Sequence, residues 1–329
     1  MRKFLSIVIP RYQESERDIF PLLSSINGQV GIDFTDIEVI VANDGGGAGQ
    51  LNKDFLDLFR FSTKQVQLAE NKGPGVARQA GLDAATGVYV LFCDADDTLH
   101  NVGALGAMMQ EAETHAPDIL YTSWLEELKT DDGFQYITHE NDNTWMHGKL
   151  LRRCFLTSHD VRFHDDLRVH EDSYFLSIAA AVAQKTHQLP VVTYVWKYRA
   201  DSITRRNGAS YTYDSIPTFI KACAMANREV EQRAPQQMEY KVVQFILYNY
   251  FCFHQAGWQA AENAHYLQAA ERALVTEMQP FMHYWTNANP AFIADVYNQE
   301  RQRSFAGCVE NETLDTWVKR IGLIGGNET

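Results

Sequence analysis

The chain has 329 residues, 45% of them hydrophobic, enough for a sizeable core and for one large domain accompanied by a smaller one. Its net charge of −13 disfavours a nucleic-acid partner, because phosphate backbones are held chiefly by Lys and Arg, and it discourages docking on anionic lipid for the same reason. The five cysteines are odd in number, widely spaced and mostly set in apolar segments, which argues against a disulfide framework and for a reducing, cytoplasmic home.

Residues 4–10 form an apolar run of strand length behind Met1-Arg2-Lys3, a lead too short for a secretory leader. Residues 18–26 then carry apolar side chains at helical spacing. A second buried-strand run, 37–42, ends in Asn43-Asp44-Gly45-Gly46-Gly47, where the glycines are expected to supply loop flexibility. The third strand is expected at 65–68, a helix at 75–85, and a fourth strand at 88–93. Strands alternating with helices predict an α/β fold with a mostly parallel central sheet, whose ligands bind beyond the carboxyl ends of the strands. Pro10, Asp44 and Asp94 fall at such ends.

Past residue 204 the spacing becomes helical, over 216–232, 237–255, 258–278 and 290–303. Residues 242–253 are apolar almost all round, as in a buried helix or one pressed against a partner. The chain therefore divides into an α/β domain, 1–205, and an all-helical appendage, 206–329. Packing explains the aromatics of the appendage, which would also suit an acceptor site, a homo-oligomer interface or a peripheral membrane contact. No apolar stretch reaches the roughly 18 residues of a membrane span.

The fourth strand stops in three acids, Asp94, Asp96 and Asp97. Carboxylates this close repel one another, so they must be solvated, protonated or neutralised by a cation. A solvated acidic turn is the plain alternative; hard oxygen ligands otherwise favour Mg²⁺ or Mn²⁺.

Seven blocks in order, spanning residues 4–204, resemble the family 2 glycosyltransferases, which share the GT-A fold. Ile9-Pro10-Arg11-Tyr12-Gln13-Glu14 resembles their I-P-x-Y-N-x-E opening, with Gln13 for Asn. Val41-Ala42-Asn43-Asp44-Gly45-Gly46 resembles V-x-D-D-G-S, departing at Asn43 and Gly46. Asn71-Lys72-Gly73 through Ala77-Arg78-Gln79 and Gly81 is similar to N-x-G-x-x-x-A-R-N-x-G, and Asp94-Ala95-Asp96 stands as the D-x-D. Trp145 through Lys149-Leu150 and Arg152-Arg153 resembles W-x-K-L-x-R-R. His170-Glu171-Asp172 with Phe175 is similar to the E-D-x-x-F block, and Tyr198-Arg199 with Ser202-Ile203-Thr204 to the end of the catalytic domain.

The resemblance implies inverting transfer of one sugar from a nucleotide diphosphate-sugar, UDP by family frequency, to a hydroxyl of a glycan, lipid-linked or other acceptor. It implies Asp96 as ligand of a divalent Mn²⁺ or Mg²⁺, with Asp94 beside it or on the ribose, so that charge growing on the leaving phosphate is neutralised. Asp172 is then the base, with Glu171, His170 and Trp145 facing the acceptor. An acidic helix start would also place Glu171 and Asp172 favourably without any catalysis. Pro10, Tyr12, Glu14, Asp44, Arg78, Asp94, Ala95 and Arg199 are the expected nucleotide-sugar contacts, Asp44 through a uracil N3–H and Arg78 through base or pyrophosphate. Ser202, Thr204, Arg205 and Arg206 would flank Arg199. His147 and His164 fit hydrogen-bonded residues better than ligands, lacking zinc spacing. Three rivals remain: a sugar-nucleotide pyrophosphorylase, whose G-x-G-x-R loop is missing after the first strand, a non-catalytic nucleotide-sugar-binding module, and a glycosyltransferase acting on a modified nucleic-acid base.

Overall fold

The computed structural model describes residues 3–47, 49–140, 142, 144–200, 202, 205, 211–303, 308 and 311–324. The chain separates into two compact units, Met1–Arg199 and Ala200–Thr329. Thr204 and Arg206 lie outside the described residues.

Unit 1 is built on a sheet of nine strands among the described residues: β1 Leu5–Arg11, β2 Ile37–Asn43, β3 Ser62–Gln67, β4 Tyr89–Phe92, β5 Thr98–Leu99, β6 Ile119–Thr130, β7 Gly133–His139, β8 Lys149–Arg152 and β9 Thr186–Trp196. Their order is β3-β2-β1-β4-β8-β6-β9-β5, with β7 paired to β6. The four strands from β3 to β4 are parallel, as the strand–helix alternation predicts. Beyond them the sheet is mixed: β8 runs antiparallel to both β4 and β6, β6 and β9 are parallel, and β5 returns antiparallel to β9. A hairpin, β6–β7, adds β7 beside β6, joined through Asp131-Asp132, with Gly133 taking a positive φ at the start of β7.

Helices α1 Glu16–Asn27, α2 Lys53–Leu56, α3 Pro74–Ala84, α4 Ala104–His115, α5 Arg153–Ser158 and α6 Glu171–Val182 connect these strands. Every residue of β1 and β2 is buried, as in central parallel strands covered on both faces, and their polar residues pair inside, Ser6 with Glu38 and Arg11 with Asn43. Helix α1 starts where Asp18 accepts from the Ser15 N–H at 2.8 Å, and it buries Ile19, Leu22, Leu23 and Ile26, one stripe at helical spacing.

Unit 2 is helical: α7 Tyr211–Asp214, α8 Ile216–Arg233, α9 Met238–Phe253, α10 Ala256–Gln259, α11 Ala264–Met278, α12 Met282–Asn287, α13 Pro290–Gln302 and α14 Leu314–Arg320. The all-round apolar α9 is its core helix, burying Val242, Val243, Ile246, Leu247, Phe251 and Phe253, each side chain contributing about 1.5–3 kcal/mol. Tyr250 meets the Trp317 ring edge-on at 5.5 Å. The single helix expected at 258–278 is broken in two. Ala260 is extended (φ −63, ψ 137), and Asn263 donates its side-chain N–H to the Gly257 carbonyl at 2.7 Å, closing a turn between α10 and α11. No helix among the described residues is long and apolar enough to cross a membrane.

Candidate active site

Because β1, β2 and β4 are parallel, their carboxyl ends open on one edge of the sheet, and the predicted site residues start there. Arg11, the last residue of β1, is buried and organises the loops around it. Its guanidinium donates to the Asn43 side-chain oxygen at 2.6 Å, to the Glu14 carbonyl at 2.5 Å, and to the Gly49 carbonyl. Tyr12 is exposed, and its N–H donates to the Glu14 carboxylate at 2.9 Å. Asp44 is buried, accepting the N–H groups of Lys72 at 2.7 Å and Gly73 at 2.8 Å, one on each oxygen. It thereby clamps the loop ahead of α3, and a base N–H would have to use the remaining lone pairs. Pro10 and Ala95 are buried apolar wall.

The glycine run corrects the expectation of simple flexibility. A Cβ on Gly45 would stand 2.5 Å from both the Glu70 N and the Leu68 O, and one on Gly47 would stand 1.6 Å from the Tyr12 carbonyl oxygen. The run lets three backbone segments touch. Gly47→Ala is therefore expected to displace the Tyr12 loop and destabilise the fold by about 1–3 kcal/mol, read as a lower urea midpoint together with weakened nucleotide binding; an unchanged midpoint and affinity would count against this packing role.

At the end of β4 the acids part company. Arg78, on α3 and 5% exposed, is committed to two carboxylates, Asp94 at 2.7 Å and Glu171 at 2.5 Å. Its guanidinium faces protein acids, so a base or pyrophosphate contact would have to share it with them. Burial pushes the Asp94 carboxyl up, yet the Arg78 guanidinium outweighs that and holds it below its ordinary value. Asp97 is fully buried, accepting from the Tyr194 hydroxyl at 2.5 Å and from the Lys197 N–H at 2.8 Å. Burial and repulsion from Asp96 and Asp94 push it well up.

Asp96 remains three-tenths exposed, with the Arg199 Nε at 3.5 Å. Burial and the neighbouring Asp94 push its pKa up to about 6 against the pull of Arg199. A carboxylate this poorly compensated, with hard oxygen donors beside it, fits a divalent cation, which would return it to the ionised form. Asp94, Asp97 and His147 lie with their ligand atoms within 4.8 Å of one another, and Asp96 stands outside that group. His147 is buried, and desolvation lowers its pKa to about 4 despite Asp94, so it is neutral there.

Helix α6 carries the remaining acids. His170 precedes it in the left-handed region at φ 61, a conformation a non-glycine residue holds only where its surroundings fix it. Glu171 is buried on Arg78, and burial raises its pKa over that partner. Asp172, half-buried, accepts the Ser173 N–H at 2.7 Å; burial and repulsion from Glu171, opposed by Arg78, push it up to about 7. Arg78 thus ties the D-x-D to the E-D pair, 16 residues from Asp94 and 93 from Glu171.

An aromatic wall stands nearby in the same unit. Trp145 and Trp196 lie 5.0 Å apart, both half-buried, over His147, which stacks on Tyr194 at 4.9 Å. The Lys149 ammonium donates to the Trp145 carbonyl at 2.6 Å and the His147 carbonyl at 3.2 Å, and burial lowers its pKa to about 8 despite Asp142. Tyr194 escapes sequence reasoning, whereas Asp97, Lys149 and Trp196 stand in the motif blocks with no role assigned to them there. His164 accepts the Asp166 N–H at 3.2 Å, a local turn contact.

A model of the family described as Glycosyl transferase family 2 matches residues 6–175, more than half of the chain and every block up to the E-D pair. The chain belongs to glycosyl transferase family 2. Among curated relatives, the uncharacterized glycosyltransferase EpsJ of Bacillus subtilis is 26% identical over 228 residues, 62% of this chain and 64% of that protein. The amylovoran biosynthesis glycosyltransferase AmsB of Erwinia amylovora is 37% identical over 98 residues, 29% of this chain and 31% of its own. The poly(ribitol-phosphate) beta-N-acetylglucosaminyltransferase TarS of Staphylococcus aureus is 27% identical over 260 residues, 72% of this chain and 43% of its own. The matched stretch is less than two thirds of each relative. The crystal structure of S. aureus TarS 1–349 in complex with UDP-GlcNAc superposes with a TM-score of 0.64 at 20% identity, covering 92% of this chain and 89% of that one. At that identity the likeness establishes the GT-A fold, the mixed sheet with flanking helices described above.

Proposed function

We propose that this family 2 chain transfers one sugar from a nucleoside diphosphate sugar to a hydroxyl of a growing glycan or glycoconjugate, inverting the anomeric carbon. The observation that carries this reading is the Arg78 bridge, which sets the acids of the donor end beside those of the acceptor end. UDP is the nucleotide we favour, because TarS is seen with UDP-GlcNAc. A surface polysaccharide or a related polymer is the acceptor class we favour, following the names of AmsB and TarS.

In this reading the nucleotide lies over the ends of β1 and β2, against Tyr12, Glu14 and Pro10, in a loop held in shape by Arg11 and Asp44. Asp96, with Asp94 beside it, would hold Mn²⁺ or Mg²⁺. Bound there, the ion would supply Lewis-acid neutralisation of the departing diphosphate. Arg199 adds a fixed positive charge near the same oxygens. Asp172 takes the proton of the acceptor hydroxyl while that oxygen bonds to the anomeric carbon; the bond from that carbon to the diphosphate oxygen breaks, and its electron pair leaves with the nucleotide. Its pKa near 7 suits a base that works at neutral pH. Glu171 and His170 position the helix start that presents Asp172, and Trp145 with Trp196 offers the acceptor sugar an apolar face. All these residues fall within 1–205, the catalytic domain in this reading. The reaction is assigned to the cytoplasm, with peripheral membrane contact where the acceptor is lipid-linked.

The test is donor binding and hydrolysis across a panel of nucleotide sugars with Mn²⁺, Mg²⁺ or EDTA, for the native chain and Asp96→Ala. One donor selected in a metal-dependent way, with the dependence lost in the variant, is the expected result. Binding of a nucleotide sugar with no turnover would leave the non-catalytic binding module in its place, and failure to bind any would overturn the donor reading.

A further inference from the structure

A second cluster of metal-binding side chains lies away from the D-x-D. Glu111 and His115 are four residues apart on α4 and so share one face of the helix. His187 faces them from the start of β9. The Glu111 carboxylate oxygen is 3.2 Å from the His115 Nε2 and 2.9 Å from the His187 Nε2, and the three ligand atoms lie within 4.8 Å of one another. A tetrahedral ion with bonds of about 2.0–2.2 Å keeps its ligand atoms roughly 3.4 Å apart, close to the spacing found. The two imidazoles lie face to face, centroids 3.9 Å apart and tilted by 20°, so ligation requires them to fan apart. Their exposure leaves room for that: the side chains are 42% and 29% exposed.

We propose that Glu111, His115 and His187 form a transition-metal site, with Zn²⁺ as the ion their two nitrogens and one oxygen suit, completed by water. Mg²⁺ and Mn²⁺ prefer all-oxygen sets, which separates this site from the D-x-D in metal class. It is also separate in space. His187 pairs with Leu120 at the start of β6, whereas Val195, where β9 meets the strand that follows the D-x-D, pairs with Leu125, five β6 residues on, or about 17 Å along that strand. The site joins a helix to a strand at the sheet edge opposite the donor and would act as a staple: the bound ion favours the folded arrangement that brings the three ligands together.

The test is calorimetric titration of the EDTA-treated full chain with Zn²⁺ in an Asp96→Ala background, which removes the proposed donor-site ligand. One Zn²⁺ per chain is expected, with a rise in Tm. Adding His115→Ala or His187→Ala should weaken binding by roughly tenfold or more and remove the Tm rise, while excess Mg²⁺ should not compete. His115, at an exposed helix end, carries the test if the His187 variant fails to fold. No Zn²⁺ binding in the Asp96→Ala chain, or binding unchanged by His115→Ala, would overturn the site.

Discussion

Asp172→Asn is expected to abolish sugar transfer while leaving donor affinity unchanged. The substitution keeps the side chain's size and its acceptor oxygen for the Ser173 N–H but removes the ability to take a proton. A positioned general base contributes about 10²–10⁴-fold, so kcat should fall by that factor. The same residue sets the pH profile. Only the ionised carboxylate can act, and burial with the adjacent Glu171 has pushed its pKa to about 7, above the carboxylate range. Activity of the native chain should therefore climb as pH rises through about 7 and level off above it, falling roughly tenfold per unit on the acid side. Stopped assays across buffers, with nucleotide binding followed by calorimetry, read both effects. Retained turnover in the variant, or a flat profile from pH 5 to 8, would remove Asp172 from the role of base; the window follows from the shift just given.

Arg78→Gln should be the most destabilising single change in unit 1. Its guanidinium is the cation between two acids that are themselves mostly buried, Asp94 and Glu171. Breaking one side of a buried charge pair typically costs about 3–5 kcal/mol, because the partner's charge remains in the interior without compensation. Here two partners are left, and Asp172 loses a charge that now restrains its rise. A large drop in the urea midpoint is expected, accompanied by loss of transfer. Arg78→Lys should recover only part of the stability, since an ammonium cannot reproduce the two-pronged geometry. A loss of under about 1 kcal/mol in Arg78→Gln would show that the pair is solvated like a surface ion pair, and the bridge between the two motifs would lose its importance.

The parallel half of the sheet was legible because β1 and β2 are continuous apolar runs punctuated by turn residues, and α1 shows one clean apolar stripe. The mixed half was harder. In β7 the side chains are nearly all exposed, so hydrophobic alternation is weak there, and only the Asp-Asp-Gly turn marks the hairpin. Helix α9 was visible as a buried helix from its uniform apolarity, whereas the break after α10 depends on one asparagine contact that periodicity does not register. At the site, the motif positions came from sequence, but what each side chain faces did not. Arg78 reads as a phosphate ligand by type and turns inward because Asp94 and Glu171, 16 and 93 residues away, are delivered to it by the fold. Gly47 reads as slack and is instead a point of backbone contact.

The three acids after β4 occupy one short motif, yet Asp97 holds the end of β9 through Tyr194 and the Lys197 amide, while Asp94 answers Arg78 and Asp96 faces Arg199. A saturation scan scored by growth or turnover would flatten all three into one intolerant block. Their genetics should nevertheless diverge. Defects at position 97 should be relieved by second-site suppressors that stabilise the fold anywhere in unit 1, those at 94 only by changes that also remove the charge of Arg78, and those at 96 by none. Epistasis, rather than intolerance, is the signature that would resolve one short string of carboxylates into an anchor, a counter-ion and the proposed metal ligand.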